Sequence, residues 1–279
     1  MKYLITGRNG QLARAFIRTF ERQAIDFIAP DEAHLDITNL KLVTEAIAEY
    51  KPDVIINCAA YNLVDKAEQD RDAAFAVNAQ GPKNLAQAAQ RKTVLVHFGS
   101  DYVFDGIKES GLYLERDSTR PLNEYGKSKL AGEEYVLEGV DRCLVLRLSW
   151  VFGEGPQNFI HKLSEWARNN EFLKIACDEF SVPTYTETVV DMTLKALDQG
   201  VTGRFHLTNS GYCSRYEWAR LTLDLLGVHK FIRPVSMDAF NLPAKRPKFS
   251  AMSNKALGTL LGVEIPAWQD AVRSFLQKD

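Results

Sequence analysis

Residues 1–13 read MKYLITGRNGQLA, and this stretch decides the fold. A short strand-like run, YLIT, leads into Gly7 and Gly10, and a helical pattern begins at Gln11. Glycines at a strand-to-helix turn let the backbone come close to a diphosphate, and the helix N-terminus offers unpaired N–H groups to the anion. Ala13 stands where a third glycine often occurs, and its methyl group still permits close helix-to-strand packing. The stretch therefore predicts a nucleotide-binding strand–turn–helix unit.

Short β-branched runs alternate with helical patterns along the N-terminal half of the chain. We expect strands at IDFIA, VIINCAA and TVLVHFGS, and helices over 11–21, over 40–50 and through Asn84. This alternation is typical of βαβ units. It predicts an α/β fold, with a Rossmann-type doubly wound parallel sheet and a smaller C-terminal substrate-binding lobe.

The pattern changes near residue 150. A helix over 125–137 leads into a strand over 143–148, which we expect to close the main sheet. Beyond it, loops with prolines separate helical patterns near 158–169, 187–197, 215–226 and 268–276. We predict an NAD(P)-binding Rossmann domain over 1–149 and a mainly substrate-binding lobe over 150–279, with a boundary at which strands can interleave.

Charge and composition narrow the class of partner. The formal net charge of -2 and the pI near 6.2 predict neither nucleic acid nor an anionic membrane surface as a partner. The sequence has no apolar run that could cross a bilayer, and the N-terminal MKYLITG enters a strand directly instead of the apolar region of a signal peptide, so we expect a cytoplasmic protein. The cysteines and histidines lack the spacing of a zinc or redox site, and we find no residue set that would fix a metal. A small-molecule substrate is favoured.

A tyrosine and a lysine in YGKSK are the candidate catalytic pair. Tyr125 and Lys129 lie four residues apart on a predicted helix, so both project from one face. We expect the ammonium group to lower the pKa of the phenol, which makes Tyr125 a candidate general acid for an alkoxide formed by hydride delivery. Ser100, at the end of the strand TVLVHFGS, supplies a hydroxyl that can orient a carbonyl group.

An ordered series of motifs resembles the dTDP-4-dehydrorhamnose reductase family of extended short-chain dehydrogenases/reductases over nearly the full chain. The matching segments are GRNGQLA, LDITN, NCAAYNLVDKAE, VNAQGPKNLA, GSDYVFDG, YGKSKLAGE, LRLSWVFG, PTYT and KRPKFSAM. The resemblance implies Tyr125 as the catalytic acid, Lys129 on the nicotinamide ribose, and Ser100 in place of a usual threonine. It also implies a nucleotide-sugar substrate and is compatible with a homodimer.

The glycine turn, the end of the third strand and the resemblance together give the predicted binding residues. Those assigned to the cofactor are Gly7, Arg8, Gly10, Gln11, Leu12, Asp31, Asp36, Ile37, Ala59, Ala60, Tyr61, Asn62, Tyr125 and Lys129. Those assigned to the sugar nucleotide are Ser100, Asp101 and Trp150.

Several side chains keep two interpretations. Asp36 either faces the adenosine ribose or caps the helix that begins near Asn39. Arg8 favours NADPH because a guanidinium can bind a 2′-phosphate, whereas Asp31 favours the unphosphorylated ribose of NADH. Arg246 pairs either with a substrate diphosphate or with a surface carboxylate. Glu133 and Glu134 are interpreted as a solvated helix face.

The predicted reaction is NADPH-dependent reduction of dTDP-4-dehydro-β-L-rhamnose to dTDP-L-rhamnose, for bacterial surface polysaccharide, with NADH as an alternative cofactor. Three departures from the family bear on the particular sugar: Asn62 for threonine, Ala13 for glycine, and residues 179–182 for Gln-x-Gly and a small residue. The alternatives are a reductase of another nucleotide-linked 6-deoxy-4-ketohexose, a dehydratase or epimerase of the same superfamily, and a non-catalytic regulatory homologue. Asp101 is followed by Tyr102 and not by the glutamate of a 4,6-dehydratase, which favours reduction.

Overall fold

The fold centres on a parallel β-sheet with helices on both faces. The computed structural model describes residues 1–277. The elements before residue 150 are β1 (Tyr3–Thr6), α1 (Gln11–Gln23), β2 (Phe27–Ile28), α2 (Leu40–Tyr50), β3 (Val54–Asn57), α3 (Arg71–Phe75), α4 (Gly81–Ala88), β4 (Val94–Ser100), α5 (Glu124–Gly139) and β5 (Cys143–Leu148). The elements after it are β6 (Val151–Phe152), α6 (Phe159–Asn169), β7 (Leu173–Ala176), β8 (Phe180–Ser181), β9 (Thr184–Tyr185), α7 (Thr186–Asp198), β10 (Gly203–His206), β11 (Cys213–Ser214), α8 (Arg215–Leu225), β12 (Ile232–Val235), α9 (Lys255–Leu261) and α10 (Trp268–Leu276).

Six strands of the main sheet lie in the order β10-β5-β4-β3-β1-β2, and all neighbours are parallel. The strand order reverses between β1 and β3, which is the place where doubly wound sheets bind nucleotides. The predicted Rossmann-type fold is confirmed. The prediction that β5 closes the sheet is wrong, because Gly203 and His206 of β10 pair with Leu144 and Arg147. β10 returns from the C-terminal half and pairs the outer edge of β5, whose backbone groups would otherwise be open.

Alternate residues of the strands enter two hydrophobic cores, one on each face of the sheet. Helices α1, α7 and α9 cover one core, and α2, α4 and α5 cover the other. On β1, Ile5 belongs to the first core and Leu4 to the second, as expected for a strand buried on both faces. Because α7, β10 and α9 follow residue 150, the C-terminal half also completes this layer. A division of the chain at residues 149 and 150 stays a prediction.

The other elements after β5 form a lobe with an aromatic core. Its strands pair in twos: β6 with β9, β8 with β11, and β7 with β12. Trp218 on α8 is fully buried, and its ring stacks on Trp150 with the centroids 5.7 Å apart. Phe152 stacks on Tyr185 at a centroid distance of 5.3 Å. Trp150 therefore joins the end of β5 to the centre of the lobe.

The long helix predicted to run through Asn84 is interrupted. A π-helical turn, Ala76–Gln80, separates α3 from α4. Helix α5 lies directly on this turn, since a Cβ atom at Gly132 would be 1.9 Å from the carbonyl oxygen of Asn78. Such π turns are frequent at functional sites because they redirect side chains that a regular helix would place elsewhere.

The interpretation of Glu133 as a solvated residue is wrong, although its neighbour Glu134 is exposed. Glu133 is fully buried between α5 and the sheet, where its carboxylate accepts hydrogen bonds from Arg147 and Arg204. Arg147 on β5 is fully buried as well. A buried carboxylate of this kind is stable only because guanidinium groups pair with it.

Candidate active site

A cavity of about 1520 Å³ opens where β1, β3, β4 and β5 end. Its walls come from the turn after β1, from the segments after these strands and from the lobe. Every predicted site residue except Asp31 lines it: Gly7, Arg8, Gly10, Gln11, Leu12, Asp36, Ile37, Ala59, Ala60, Tyr61, Asn62, Ser100, Asp101, Tyr125, Lys129 and Trp150. The fold thus brings residues from distant parts of the chain into one space.

The turn after β1 has the geometry of a phosphate-binding loop. Gly7 has a φ of +67°, and a Cβ atom there would lie 2.7 Å from the backbone of Ala59. The N–H of Gly10 donates to the carbonyl oxygen of Gly7 at 2.9 Å, which closes the turn. Gly10 is the N-cap residue of α1 and has no side chain that could cap the helix. The first N–H groups of α1 therefore make no hydrogen bond to a capping side chain, and they face the cavity.

Asp36 does not cap α2. Its Oδ1 accepts from the N–H of Thr38 at 2.8 Å, while the side chain of Asn39 accepts from the first N–H groups of the helix. The capping interpretation of Asp36 is therefore wrong, and this carboxylate remains at the wall of the cavity.

Asp31 is not among the residues that line the cavity, and it is paired with a histidine. Its Oδ1 is 2.6 Å from Nδ1 of His34, and it also accepts from the N–H of His34. These hydrogen bonds, with a smaller effect of the Arg8 charge, lower the pKa of Asp31. Asp31 is thus a carboxylate at neutral pH, and it lies close enough to Arg8 for their charges to interact.

Asn78 in the π-helical turn holds the segment after β3. Its Oδ1 accepts from the N–H of Tyr61 at 2.8 Å, and its Nδ2 lies 3.0 Å from both the carbonyl oxygen of Tyr61 and the hydroxyl of Ser128. Asn78 belongs to the quoted motif VNAQGPKNLA, but sequence reasoning gave it no role. The signal in the sequence was an asparagine among the small and apolar residues of a helical pattern.

Tyr125 and Lys129 both reach the cavity from the first turns of α5. The Oδ1 of Asn123 caps this helix by accepting from the N–H of Gly126 at 2.7 Å. Tyr125 is half-buried, and its hydroxyl lies 3.5 Å from Oδ1 of Asn62. The Nζ of Lys129 is buried and donates to the carbonyl oxygen at Phe98 at 2.6 Å.

The ionisation of this pair differs from the expectation. Burial raises the pKa of Tyr125 to about 12, hydrogen bonding with Ser100 opposes this rise, and the Asp101 charge adds to it. The prediction that Lys129 lowers this pKa is wrong, because burial of the phenol dominates and the ammonium group of Lys129 donates to the carbonyl oxygen of Phe98. Burial lowers the pKa of Lys129 itself to about 8, while Glu133 favours its charged form. Tyr125 is therefore a neutral phenol at physiological pH, as a proton donor must be.

The carboxylate of Asp101, the residue that follows Ser100, accepts hydrogen bonds from serine hydroxyl groups. Its Oδ1 accepts from Ser100 at 3.3 Å, and its Oδ2 accepts from Ser181 at 2.8 Å and from Ser250 at 2.5 Å. The oxygen of Ser100 in turn accepts from the N–H of Tyr102 at 3.2 Å. Burial raises the pKa of Asp101 to about 6, and the Ser250 and Ser181 hydrogen bonds limit the rise.

Trp150 forms the opposite wall together with an arginine that sequence reasoning missed. The guanidinium carbon of Arg215 lies 3.6 Å from the centroid of the Trp150 ring. Its Nε is 3.3 Å from Oε2 of Glu179, one of the residues that depart from the family pattern. The positive φ of Trp150, +40°, turns the chain sharply here. Aromatic stacking and an ion pair thus fix a cationic group beside the cavity.

Arg246 also lines the cavity, and its guanidinium group makes two contacts with the carboxylate of Asp65, at 3.0 and 2.7 Å. Of its two interpretations, pairing with a carboxylate is present in this structure.

Within residues 1–277, no helix is both long and apolar enough to cross a membrane. The same residues contain no cluster of three or more His, Cys, Asp or Glu side chains arranged for a metal ion.

Comparison with known proteins places the chain in a family. The family model described as the RmlD substrate binding domain matches residues 1–279. A dTDP-4-dehydrorhamnose reductase of Burkholderia thailandensis is 36% identical over 293 aligned residues, which cover 98% of this chain and 97% of that protein. The crystal structure of a dTDP-4-dehydrorhamnose reductase from Bacillus anthracis in complex with NADP is 34% identical, with 98% of each chain covered and a TM-score of 0.94. A probable dTDP-4,6-dihydroxy-2-methyloxan-3-one 4-ketoreductase of Streptomyces antibioticus is 34% identical, covering 98% of this chain and 94% of that protein. The chain belongs to the dTDP-4-dehydrorhamnose reductase family of oxidoreductases.

Proposed function

We propose that this chain uses NADPH to reduce the 4-keto group of dTDP-4-dehydro-β-L-rhamnose, giving dTDP-L-rhamnose. The observation that carries the proposal is the meeting of Tyr125, Lys129 and Ser100 in the cavity that begins at the glycine turn. The names of the B. thailandensis and B. anthracis relatives support the substrate, and the NADP in the latter structure supports the cofactor.

The residues present fit a nicotinamide dinucleotide. The turn at Gly7 leaves no room for a Cβ atom, and the first N–H groups of α1 suit a diphosphate. Among residues 1–277 the buried Oε1 of Gln11 has no hydrogen-bond partner, so it is available to a ligand. Asp36 would face the adenosine ribose, and Lys129 would hold the nicotinamide ribose. When bound, the reduced nicotinamide supplies the hydride.

The proposed roles of the other residues follow from their places in the cavity. Tyr125 donates its phenol proton to the oxygen that becomes a hydroxyl at C4, and Ser100 holds that oxygen in line. Transfer of this proton is favourable because an alkoxide is more basic than a phenolate. Asp101 and Trp150 complete the sugar side, with Asp101 behind Ser100. The first 149 residues would mainly bind the cofactor and the later lobe the sugar nucleotide.

A second candidate substrate is another nucleotide-linked 6-deoxy-4-ketohexose. It is favoured by residues 179–182, where Glu179 holds Arg215 against the ring of Trp150. The 4-ketoreductase of S. antibioticus supports this candidate by its name. A dehydratase is disfavoured, because burial raises the pKa of Tyr102, which stands where a second carboxylate would be needed. A cytoplasmic location and a homodimer stay predictions.

Product analysis tests the proposal. The purified protein is supplied with dTDP-4-dehydro-β-L-rhamnose and either NADPH or NADH, and the sugar nucleotides are separated and identified. We expect dTDP-L-rhamnose in an amount equal to the NADPH consumed. If the protein reduced a different 4-keto sugar and formed no dTDP-L-rhamnose, the proposed substrate would be wrong, but the proposed reductase activity would be retained.

A further inference from the structure

The carboxylate of Asp101 is only 3% exposed and joins the main sheet to the lobe. Ser100 reaches it from the end of β4, Ser181 from β8, and Ser250 from the segment between β12 and α9. Ser181 and Ser250 are themselves almost inaccessible to solvent. Both oxygens of the carboxylate are therefore occupied by hydroxyl groups of the protein.

The two lobe hydroxyls are held rigidly. The N–H of Ser250 donates to the carbonyl oxygen of Phe180 at 2.9 Å, and the N–H of Phe180 donates to the carbonyl oxygen of Lys248 at 2.7 Å. This ladder fixes Ser250 beside Ser181, so that both hydroxyls converge on Oδ2 of Asp101. Oδ1 is then the oxygen that can exchange a hydrogen with Ser100.

Ser100 has a single hydroxyl hydrogen, so it can donate to only one group at a time. A serine hydroxyl has one hydrogen, and here it is donated to the Asp101 carboxylate, while the oxygen accepts from the N–H of Tyr102. The same hydroxyl also faces Tyr125, because hydrogen bonding with Ser100 opposes the rise of the Tyr125 pKa, but a hydrogen that is donated to Asp101 is not donated to Tyr125 at the same time. When Oδ1 of Asp101 carries a proton, the direction reverses: Asp101 donates to Ser100, and the hydrogen of Ser100 is free to move toward Tyr125.

We propose that Asp101, acting through Ser100, returns a proton to Tyr125 after each reduction. The inference rests on the proposed reductase function. Hydride adds to the keto carbon as the O–H bond of Tyr125 breaks and the new sugar O–H bond forms. The Oγ–H bond of Ser100 then breaks as that of Tyr125 re-forms, and the Oδ1–H bond of Asp101 breaks as that of Ser100 re-forms. The carboxylate left behind then takes up from the solvent the one proton that the overall reduction consumes.

The charges around Asp101 suit this direction of transfer. Because the pKa of Tyr125 is raised to about 12 and that of Asp101 only to about 6, a proton on Asp101 moves downhill to a phenolate. The charged groups from the lobe are Glu179, which raises the pKa of Asp101, and Arg215, which lowers it. Tyr102 is the titratable group on the same turn. Lys129 does not compete in this structure because its Nζ donates to a backbone carbonyl.

The first test is Asp101→Asn in stopped-flow and steady-state assays of NADPH oxidation with the 4-keto sugar nucleotide. The amide keeps the size of the side chain and can donate a hydrogen bond to Ser100, but it supplies no proton. We expect the ratio of the first-turnover rate constant to the steady-state kcat, measured at saturating sugar nucleotide, to rise by about tenfold or more over that of the wild type. Equal slowing of both phases, or neither, would overturn the relay. Absence of turnover in the wild type would instead overturn the proposed function.

The second test keeps the carboxylate, and it also serves if Asp101→Asn fails to fold. Ser181→Ala removes one hydrogen bond that stabilises the charged form of Asp101. We expect the loss of kcat with rising pH to move upward by about one pH unit. Thr93→Val is the matched control, since it removes a buried hydroxyl at the opposite end of β4, where it donates to the carbonyl oxygen of Pro52. A pH profile that is the same in Ser181→Ala, Thr93→Val and the wild type would overturn the relay.

Discussion

Glu133→Ala tests whether the buried charge cluster behind the active site stabilises the fold. The carboxylate of Glu133 accepts from Nε and Nη2 of Arg147 and from Nη1 of Arg204 at 3.0 Å. Arg147 is fully buried, so removal of the carboxylate leaves its charge without the anionic partner that it has here. Breaking a buried pair by removing one partner costs about 3–5 kcal/mol.

The expected loss is large enough for a simple measurement. At about 2–4 °C per kcal/mol for a chain of comparable size, Tm should fall by roughly 6–20 °C. The assay is thermal unfolding followed by circular dichroism, with urea unfolding to give the free energy. Glu134→Ala is the matched control, because Glu134 is the adjacent residue of the same helix and is exposed. We expect it to change the free energy of unfolding by less than about 0.5 kcal/mol. If both variants were equally stable, the assignment of Glu133 to a buried ion pair would be refuted.

Three further predictions concern the cofactor, the acid and the pH dependence of stability. Tyr125→Phe should lower turnover by about 10²-fold or more while NADPH binding, measured by fluorescence, is retained; turnover within about threefold of the wild type would contradict the assignment. Arg8→Ala should reduce the preference for NADPH over NADH in kcat/KM, and an unchanged preference would show that Arg8 is not the selector. His206 is buried with its pKa lowered to about 3, so below pH 6.5 the unfolded state binds a proton that the folded state does not. Stability should therefore fall as pH drops from 6.5 toward 3, by up to about 1.4 kcal/mol per pH unit for this group, and urea titrations of His206→Asn should show a smaller slope.

Local patterns predicted most elements of the fold. The helix over 40–50 has the predicted bounds, and the strand over 143–148 does too. The position of that strand inside the sheet was not predictable from its own residues, because a fully buried apolar strand looks the same beside one neighbour or two. Its second neighbour, β10, lies far along the chain, and the two strands become adjacent only in the folded protein.

The site shows the same limit. Gly7, Tyr125 and Lys129 were identified because their signals are local: a turn between a strand and a helix, and a four-residue spacing. Arg215 and Ser181 gave no such signal, since their importance depends on what faces them from other segments. Glu133 was misread for a related reason: its helix carries polar residues on the buried face, so a charge there looked like a solvated one.

The departures at residues 179–182 have a different meaning once the contacts are known. They were interpreted as changes in the sugar pocket, yet two of them act on Asp101: Ser181 donates to it, and Glu179 raises its pKa. A glycine in place of Ser181 would remove the hydroxyl, and a glutamine in place of Glu179 would remove the charge. Removal of the hydroxyl raises the pKa of Asp101 and removal of the charge lowers it, so the two departures act in opposite directions, with the hydroxyl having the larger effect. The loop at residues 179–182, which is expected to select the sugar, therefore also acts on the pKa of Asp101, the carboxyl group next to Ser100, and the opposite signs of its two effects limit the net change in that pKa.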